Sequence, residues 1–393
     1  MDTPQFSDFR AALRDVPDPR QRRGRRYPWP VLLTLIAAAL VSGQQGMRAI
    51  AQWVTEHADA VRPLVELPPG RVPSAATLRR ALRVVDVPAL EARIGHFVAN
   101  LPAPPPVATS ALAPAAAPPP AWIGLAVDGK AVRGANRHGA AVHLVSLVRH
   151  DDGRVRGQLA VVDKSNEITA VPRLLRGRKL AGTVTTMDAL LTQRKLATQI
   201  RAQSGHYLMI AKSNQPDLLA AIERLFTDPP PQAVADYADT VTTLDKGHGR
   251  LELRTLDRSA ALTGYLTWPG VGQVLRRTCQ RVDLTTGEIG EEEVTYGVTS
   301  LPAATTTAAE LEALWRGHWT IENRVHRVRD VTMGEDAGQT HKGRAPQALA
   351  ALRNGLLSLL RSLGWTQIAD AIRHYGAFSH RAIRLLSDPP SRL

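Results

Sequence analysis

The chain has 393 residues, 44% of them hydrophobic and 22% charged, the balance of a folded protein with sizeable cores in more than one domain. That composition excludes a mainly disordered chain, and the single cysteine excludes an internal disulfide or a cysteine-based zinc cluster. Forty-nine Lys and Arg against 36 Asp and Glu leave a net charge of +13. Such an excess suits a phosphate-rich partner, because clustered cations release counterions on binding a polyanion; a merely solubilising surface is the alternative.

The N-terminal part reads as helical. Arg20, Arg22, Arg23, Arg25 and Arg26 crowd one short loop beside Tyr27 and Trp29. Behind them, the apolar run 31–41 (VLLTLIAAALV) is too short to span a bilayer and lacks the cleavage site of a signal peptide. It is expected to be a buried helix, in a cytoplasmic protein with no membrane contact. Helical spacing of apolar residues predicts helices over 31–42, 46–58 and 74–84, the last capped by Ser74. Residues 101–121 are almost wholly Pro, Ala and other small residues. Such a segment cannot bury a core and reads as a spacer between a helical domain, 1–100, and the remainder, 122–393.

Strands follow the spacer. AWIGLAVDG places Ile123, Leu125 and Val127 on one face, and VHLVSLVRH and RVRGQLAVV are joined by the turn signal Asp151-Asp152-Gly153. A helix near 169–176, a strand TVTTM ending at Asp188, a helix over about 190–204 closed by Gly205, a strand HYLMIAK and a helix to about 226 come next. Three antiparallel strands and then alternating helix and strand describe a mixed sheet with helices packed on it. Residues 236–300 look like a strand-rich insertion, with a hairpin near Thr285-Thr286-Gly287, and Cys279 reads as a structural thiol on one of its strands. A helix from Ala308 to about Arg329 and a leucine-rich helix over 345–363 complete the pattern.

No Walker A, GxGxxG, GxSxG or HExxH sequence is present. Instead, Asp128 lies at the first strand, Asp188 closes the fourth, and Glu322 lies within the late helix, in HWTIENRVHRVRD. Each alone reads as an ordinary turn or surface residue. Together, adjacent first and fourth strands with a late helix beside them would bring three carboxylates into one site. Two divalent cations about 3.5–4 Å apart can be held this way for phosphodiester chemistry, and oxygen-only ligands suit Mg²⁺ or Mn²⁺ rather than zinc. On the late helix, Leu314, Ile321, Val325 and Val328 form an apolar stripe, with Glu322, His326 and Arg329 on its flank. His318 and His326 read as groups that bind phosphate or orient Glu322, or as a metal pair; Asp330 and Asp336 read as structural.

The runs IGLAVDGKAVRG, GQLAVVDKSNEITAVPRLL, TVTTMDALLTQ, HYLMIAKSNQ, DKGHGRLELR and HWTIENRVHRVRDVTMGEDAG resemble the bacterial insertion-sequence DDE transposases of the ISAs type, the H-repeat-associated proteins. FSDFRAALRDVPDPRQRRGRRYPWPVLLTLIAAALVSG and VPSAATLRRALRVVDVPALEA resemble the helical domain that accompanies them, so the likeness covers nearly everything but the spacer. The resemblance implies a ribonuclease-H-like catalytic domain whose DDE triad falls on Asp128, Asp188 and Glu322. The Tyr, Arg, Glu, Lys signature of related transposases is occupied here by Trp315, His318, Glu322 and Arg329. That departure leaves open whether Arg329 contacts phosphate.

The resemblance turns the arginine loop into an expected contact with the backbone of double-stranded DNA. Arg79, Arg80 and Arg83 on the 74–84 helix become candidates for base contacts. Lys130, Lys212 and Asn214 follow strands near the proposed site, Lys212 being either a scissile-phosphate ligand or a plain surface lysine. A homodimer on DNA, at the nucleoid, is a further implication. The expected activity is metal-dependent cleavage at the ends of an insertion sequence and strand transfer into target DNA. The alternatives are a metal-dependent nuclease that never joins strands and a domesticated DNA-binding protein; a histidine-based zinc hydrolase is more remote.

Overall fold

In the computed structural model, residues 8–387 are described apart from 66, 106–121, 134–141, 162–166, 231–238, 248 and 339. The spacer read at 101–121 therefore lies outside the described residues from 106 onward. The chain divides into two compact bodies. One comprises the described residues within 1–116, 129–166 and 320–393, the other those within 117–128 and 167–319.

The first body is built on helices α1 (Phe9–Arg14), α2 (Trp29–Val41), α3 (Met47–Glu56), α4 (Ala58–Val65), α5 (Ala75–Val84) and α6 (Val87–Asn100). Every residue of α2 from Val31 to Val41 is buried, as its uninterrupted apolar run requires. Ser74 caps α5 as expected, its side chain accepting from the Thr77 amide. Strands β2 (Val142–Arg149) and β3 (Val155–Val161) pair antiparallel. Gly153 makes the turn between them possible, with φ of +65° that a residue with a Cβ adopts at a cost.

Helices α11 (Ala345–Ser362), α12 (Ile368–Ala377) and α13 (Ser379–Ser387) complete this body. The leucine-rich α11 packs on α2, α5, α6 and β3. Its polar residues are spent on that docking: Ser358 Oγ accepts from the Val155 amide at 3.1 Å, and Asn354 donates to Gln158 at 2.8 Å. Among the described residues, no helix is long and apolar enough to cross a membrane.

The second body is a mixed sheet. Strand β1 (Ile123–Val132) runs through the division between the bodies, and its residues 123–127 pair parallel with β4 (Thr183–Met187). The order continues with β5 (His206–Ala211), β9 (Glu293–Thr299), β8 (Gln273–Asp283), β7 (Arg250–Ser259) and β6 (Thr240–Gly247). β4 and β5 are parallel, and β9 joins β5 antiparallel. The strand-rich stretch at 236–300 thus supplies the strand that extends the sheet beyond β5. Cys279 is a buried free thiol on β8.

Helices α7 (Glu167–Leu175), α8 (Arg194–Ala202) and α9 (Pro216–Thr227) connect the strands. α8 ends differently from the expected glycine stop: Ser204 takes the left-handed conformation, φ +60°. Gly205 is needed for room instead, since a Cβ there would lie 2.6 Å from that of Leu180. Helix α10 (Ala308–Gly317) opens with a capping box between Thr307 and Glu310. It packs through Leu311, Leu314 and Trp315 on Val184, Leu208, Leu256 and Leu275 of the sheet.

Candidate active site

In the second body, β1 and β4 are in register from Ile123↔Thr183 to Val127↔Met187. Asp128 is the next residue within β1, and Asp188 is the first residue beyond β4. Their backbones are therefore about one strand spacing apart, ~4.8 Å, and residues in register project to the same face. Asp128 follows the paired segment IGLAV within β1, and Asp188 follows TVTTM at the carboxyl end of β4, the side on which α/β sheets bind ligands. Asp188 has a local duty as well, because its Oδ1 accepts from the Leu191 amide at 3.1 Å, fixing the turn before α8.

His318, at the C-cap of α10, has its Nδ1 3.1 Å from the Thr186 hydroxyl. Thr186 lies two residues before Asp188 on the same strand, so α10 is fixed on the sheet close to the aspartate's end. Lys212 is exposed just after β5. Asn214 donates to the Ala189 carbonyl at 2.7 Å, tying the loop after β5 to the turn after Asp188.

In the first body, the chain after Thr320 does not keep the ordinary α-helical period. Residues Ile321–His326 and Val328–Thr332 form π-helical turns, which are wider and are common at functional sites. The expected apolar stripe is largely kept, but His326 and Arg329, expected on its flank, are buried. Ile321, Val325, His326 and Arg329 are buried, whereas Val328 is only half-buried. Glu322 is exposed, with its Oε2 3.0 Å from His326 Nδ1. The hydrogen bond from His326, reinforced by the charges of His326 and Lys130, holds the Glu322 carboxyl below its ordinary range against the opposing effect of burial. The contact matches one of the three readings open from sequence, a histidine that orients Glu322.

Arg329 is fully buried, not on the flank. It donates to Glu335 at 2.6 Å and to Asn354 at 3.4 Å, and Arg353 reaches the same carboxylate at 3.3 Å. A guanidinium enclosed in this way serves the fold, and the wider helical turns are the reason that a 3.6-residue period misplaced it. Lys130 is also mostly enclosed, 2.6 Å from Asp330 and 3.9 Å from Asp336. The two spare carboxylates are therefore its counter-ions.

Of the loop arginines, Arg20 is structural. It bonds Asp18 and the carbonyls of Gly24 and Tyr27, and stacks over Trp29 at 5.1 Å. Arg25 bonds the Arg20 carbonyl and lies 3.4 Å from Asp18, while Arg22, Arg23 and Arg26 are exposed. Sequence reasoning missed the Thr186–His318 bond and the cluster around Glu335. Only a tertiary contact joins these residues, so no local spacing announces them.

A parallel core with an aspartate on β1 and another just beyond β4, extended by an antiparallel strand and covered by helices, defines a ribonuclease-H-like α/β protein. Residues 122–359 match the family model described as the transposase DDE domain, and residues 10–98 match that of the domain associated with it. The chain belongs to this family of DDE transposases. YncI of Escherichia coli O157:H7, a candidate transposase by name, is 32% identical over 244 residues, 60% of this chain and 61% of that one. YbfL of Escherichia coli K12 is 32% identical over 248 residues, 60% and 63% of the two chains. YhhI of the same strain, an H-repeat-associated candidate transposase by name, is 26% identical over 367 residues, 88% of each. The match thus spans about three fifths of the first two relatives. Among solved structures, a piggyBac transposase synaptic complex with hairpin DNA matches with a TM-score of 0.47 and 9% identity, over 98% of this chain and 80% of that one.

Proposed function

We propose that this protein is a DNA transposase that cuts at the ends of an insertion sequence and joins them to target DNA. The observation that carries the reading is the parallel register of β1 and β4, whose last pair, Val127↔Met187, immediately precedes Asp128 and Asp188. Asp128, Asp188 and Glu322 would hold Mg²⁺ or Mn²⁺, two ions in all, and the donor set fits such hard cations because every ligand atom is a carboxylate oxygen. When bound, the ions would lower the pKa of a water and stabilise charge on the leaving oxygen.

The chain's own residues do the positioning. Asp188 is fixed by its bond from the Leu191 amide, and His326 lowers the pKa of the Glu322 carboxyl. Lys212, exposed after β5, would meet a scissile phosphate, and the exposed Arg22, Arg23, Arg25 and Arg26 would meet duplex backbone. Hydrolysis would free a 3′-hydroxyl at the element end. That hydroxyl would attack a target phosphodiester and displace its 3′-oxygen, with no covalent protein–DNA link. Residues 1–100 would serve as the DNA-binding domain, and two protomers would hold two ends at the nucleoid.

A supercoiled plasmid carrying the DNA that flanks this gene tests the proposal, incubated with protein and Mg²⁺ or Mn²⁺ beside an EDTA control. Discrete cuts followed by joined products are expected. Cuts that are never joined would make the protein a nuclease, and binding without cutting would make it a DNA-binding protein only.

A further inference from the structure

Helix α5 lies between two open clefts of the first body. One, of about 790 Å³, is lined by Arg20, Arg23, Arg26, Arg71, Arg80 and Arg83. The other, of about 600 Å³, is lined by Arg48, Arg79, Arg83, His341 and Lys342. Arg83 belongs to both. Among the described residues, no Asp or Glu lines either cleft, and of the lining arginines named Arg20 is the one paired with a neighbouring carboxylate, Asp18, so most of the positive field stands. Leu78, Ala81 and Leu82 anchor α5 inward, leaving Ala76, Arg80, Arg83 and Val84 exposed along its outer face.

The flanking loops are held in place, so their cations do not wave freely. Tyr27 donates to the Arg71 carbonyl at 3.1 Å, tying the arginine loop to the segment before α5. Arg344 donates to the Val85 carbonyl at 3.3 Å, tying the loop that carries His341 and Lys342 to the end of α5. Three segments distant in sequence thereby make one surface: an exposed helix with cations on both sides.

We propose that this surface grips one DNA duplex, with α5 in the major groove, Arg80 and Arg83 toward base edges, and the two loops on opposite phosphate walls. An α-helix about 10–12 Å across matches a major groove about 12 Å wide. Arginine reads guanine by paired hydrogen bonds, and small apolar groups such as Ala76 and Val84 meet thymine methyls. Cations on both sides of a helix match two phosphate walls, whereas a flat acidic membrane would call for a single plane of charge. The inference rests on the proposed transposase reading for its choice of duplex, and adds where and how the duplex is held.

The test is binding of the full chain to a 30-bp duplex taken from the element end, measured with EDTA present so that cutting plays no part. The triple variant Arg79→Ala, Arg80→Ala, Arg83→Ala is expected to bind at least thirtyfold more weakly. Its log Kd against log salt slope should be shallower by only about 1, since Arg79 is the one phosphate contact it removes and each such contact is worth ~0.9. Arg48→Ala with Lys342→Ala should weaken binding tenfold. Lys179→Ala, Lys195→Ala and Lys246→Ala together, which remove as much charge from the second body, should change it less than threefold. Circular dichroism and thermal melting establish that each variant is folded. Arg80→Ala alone should also reduce the preference for the end sequence over a scrambled duplex. Equal weakening by the second-body variant, unchanged binding by the α5 variant, or tighter α5-dependent binding to heparin or acidic vesicles than to duplex would overturn the proposal. A chain that binds through α5 yet never cuts would sink the transposase reading and leave this one standing.

Discussion

A neighbour one turn along the chain strengthens the acidity of Glu322. The bond from His326 lowers the carboxyl's pKa, so the ionised form gains stability above the ordinary carboxylate range and loses it as the pH falls through the lowered value. His326→Ala should let Glu322 take up its proton at higher pH. We therefore expect the acid limb of the cleavage rate to move to higher pH in this variant, with DNA affinity unchanged. An acid limb that stays in place would show that His326 does not act through Glu322. Arg329 and Arg353 meet at Glu335, whose carboxyl burial pushes up and the two guanidiniums pull down more strongly, to a net value below the ordinary range. Removing that carboxylate strands two buried cations. Glu335→Gln should cost about 3–5 kcal/mol of stability, read by urea unfolding, and a loss under 1 kcal/mol would refute the structural role given to Arg329.

At the scale of elements, α2, α5 and the β2–β3 hairpin were legible because their signals are local. A continuous apolar run, a Ser cap and an Asp-Asp-Gly turn each specify one structure without help from distant residues. The two aspartates were legible for a related reason, since each directly follows a short strand-like run, IGLAV or TVTTM. The late helix was legible only in its apolar stripe, because its flank was read at 3.6 residues per turn and the chain winds more widely from Ile321. The joining of β9 to β5 was hidden too, as nothing in either strand's own sequence names its partner.

One packing contact between elements carries its own pH signature. Glu91 of α6 accepts from Gln158 of β3 at 2.8 Å and from Gln347 of α11 at 3.0 Å, and burial drives its carboxyl up from 4.5 to about 7 despite those bonds. The folded state therefore prefers the proton, so this group favours folding most below pH 4.5 and loses that contribution as the pH rises through about 7. Glu91→Gln keeps an acceptor and has no charge to bury. It should raise stability by about 3 kcal/mol at pH 8 and by nearly nothing at pH 4, in urea titrations at the two values. An equal effect at both would place the carboxylate in contact with water.

Over the whole molecule, binding and chemistry fall on different residues. Asp128 and Asp188 belong to one body, and the cationic clefts beside α5 belong to the other. The net charge of +13 is thus put to use on a surface that holds no member of the proposed triad, and the two functions should separate by mutation. Replacing an aspartate removes a ligand for a divalent cation but leaves every cation of the clefts in place. The most direct measurement compares Asp128→Asn and Asp188→Asn with the unaltered chain on one end-bearing duplex, recording cleavage in Mg²⁺ and affinity in EDTA. The account predicts that each variant loses cleavage by at least a thousandfold while its Kd stays within threefold. Normal cutting by either variant would show that Asp128 and Asp188 are not the catalytic centre.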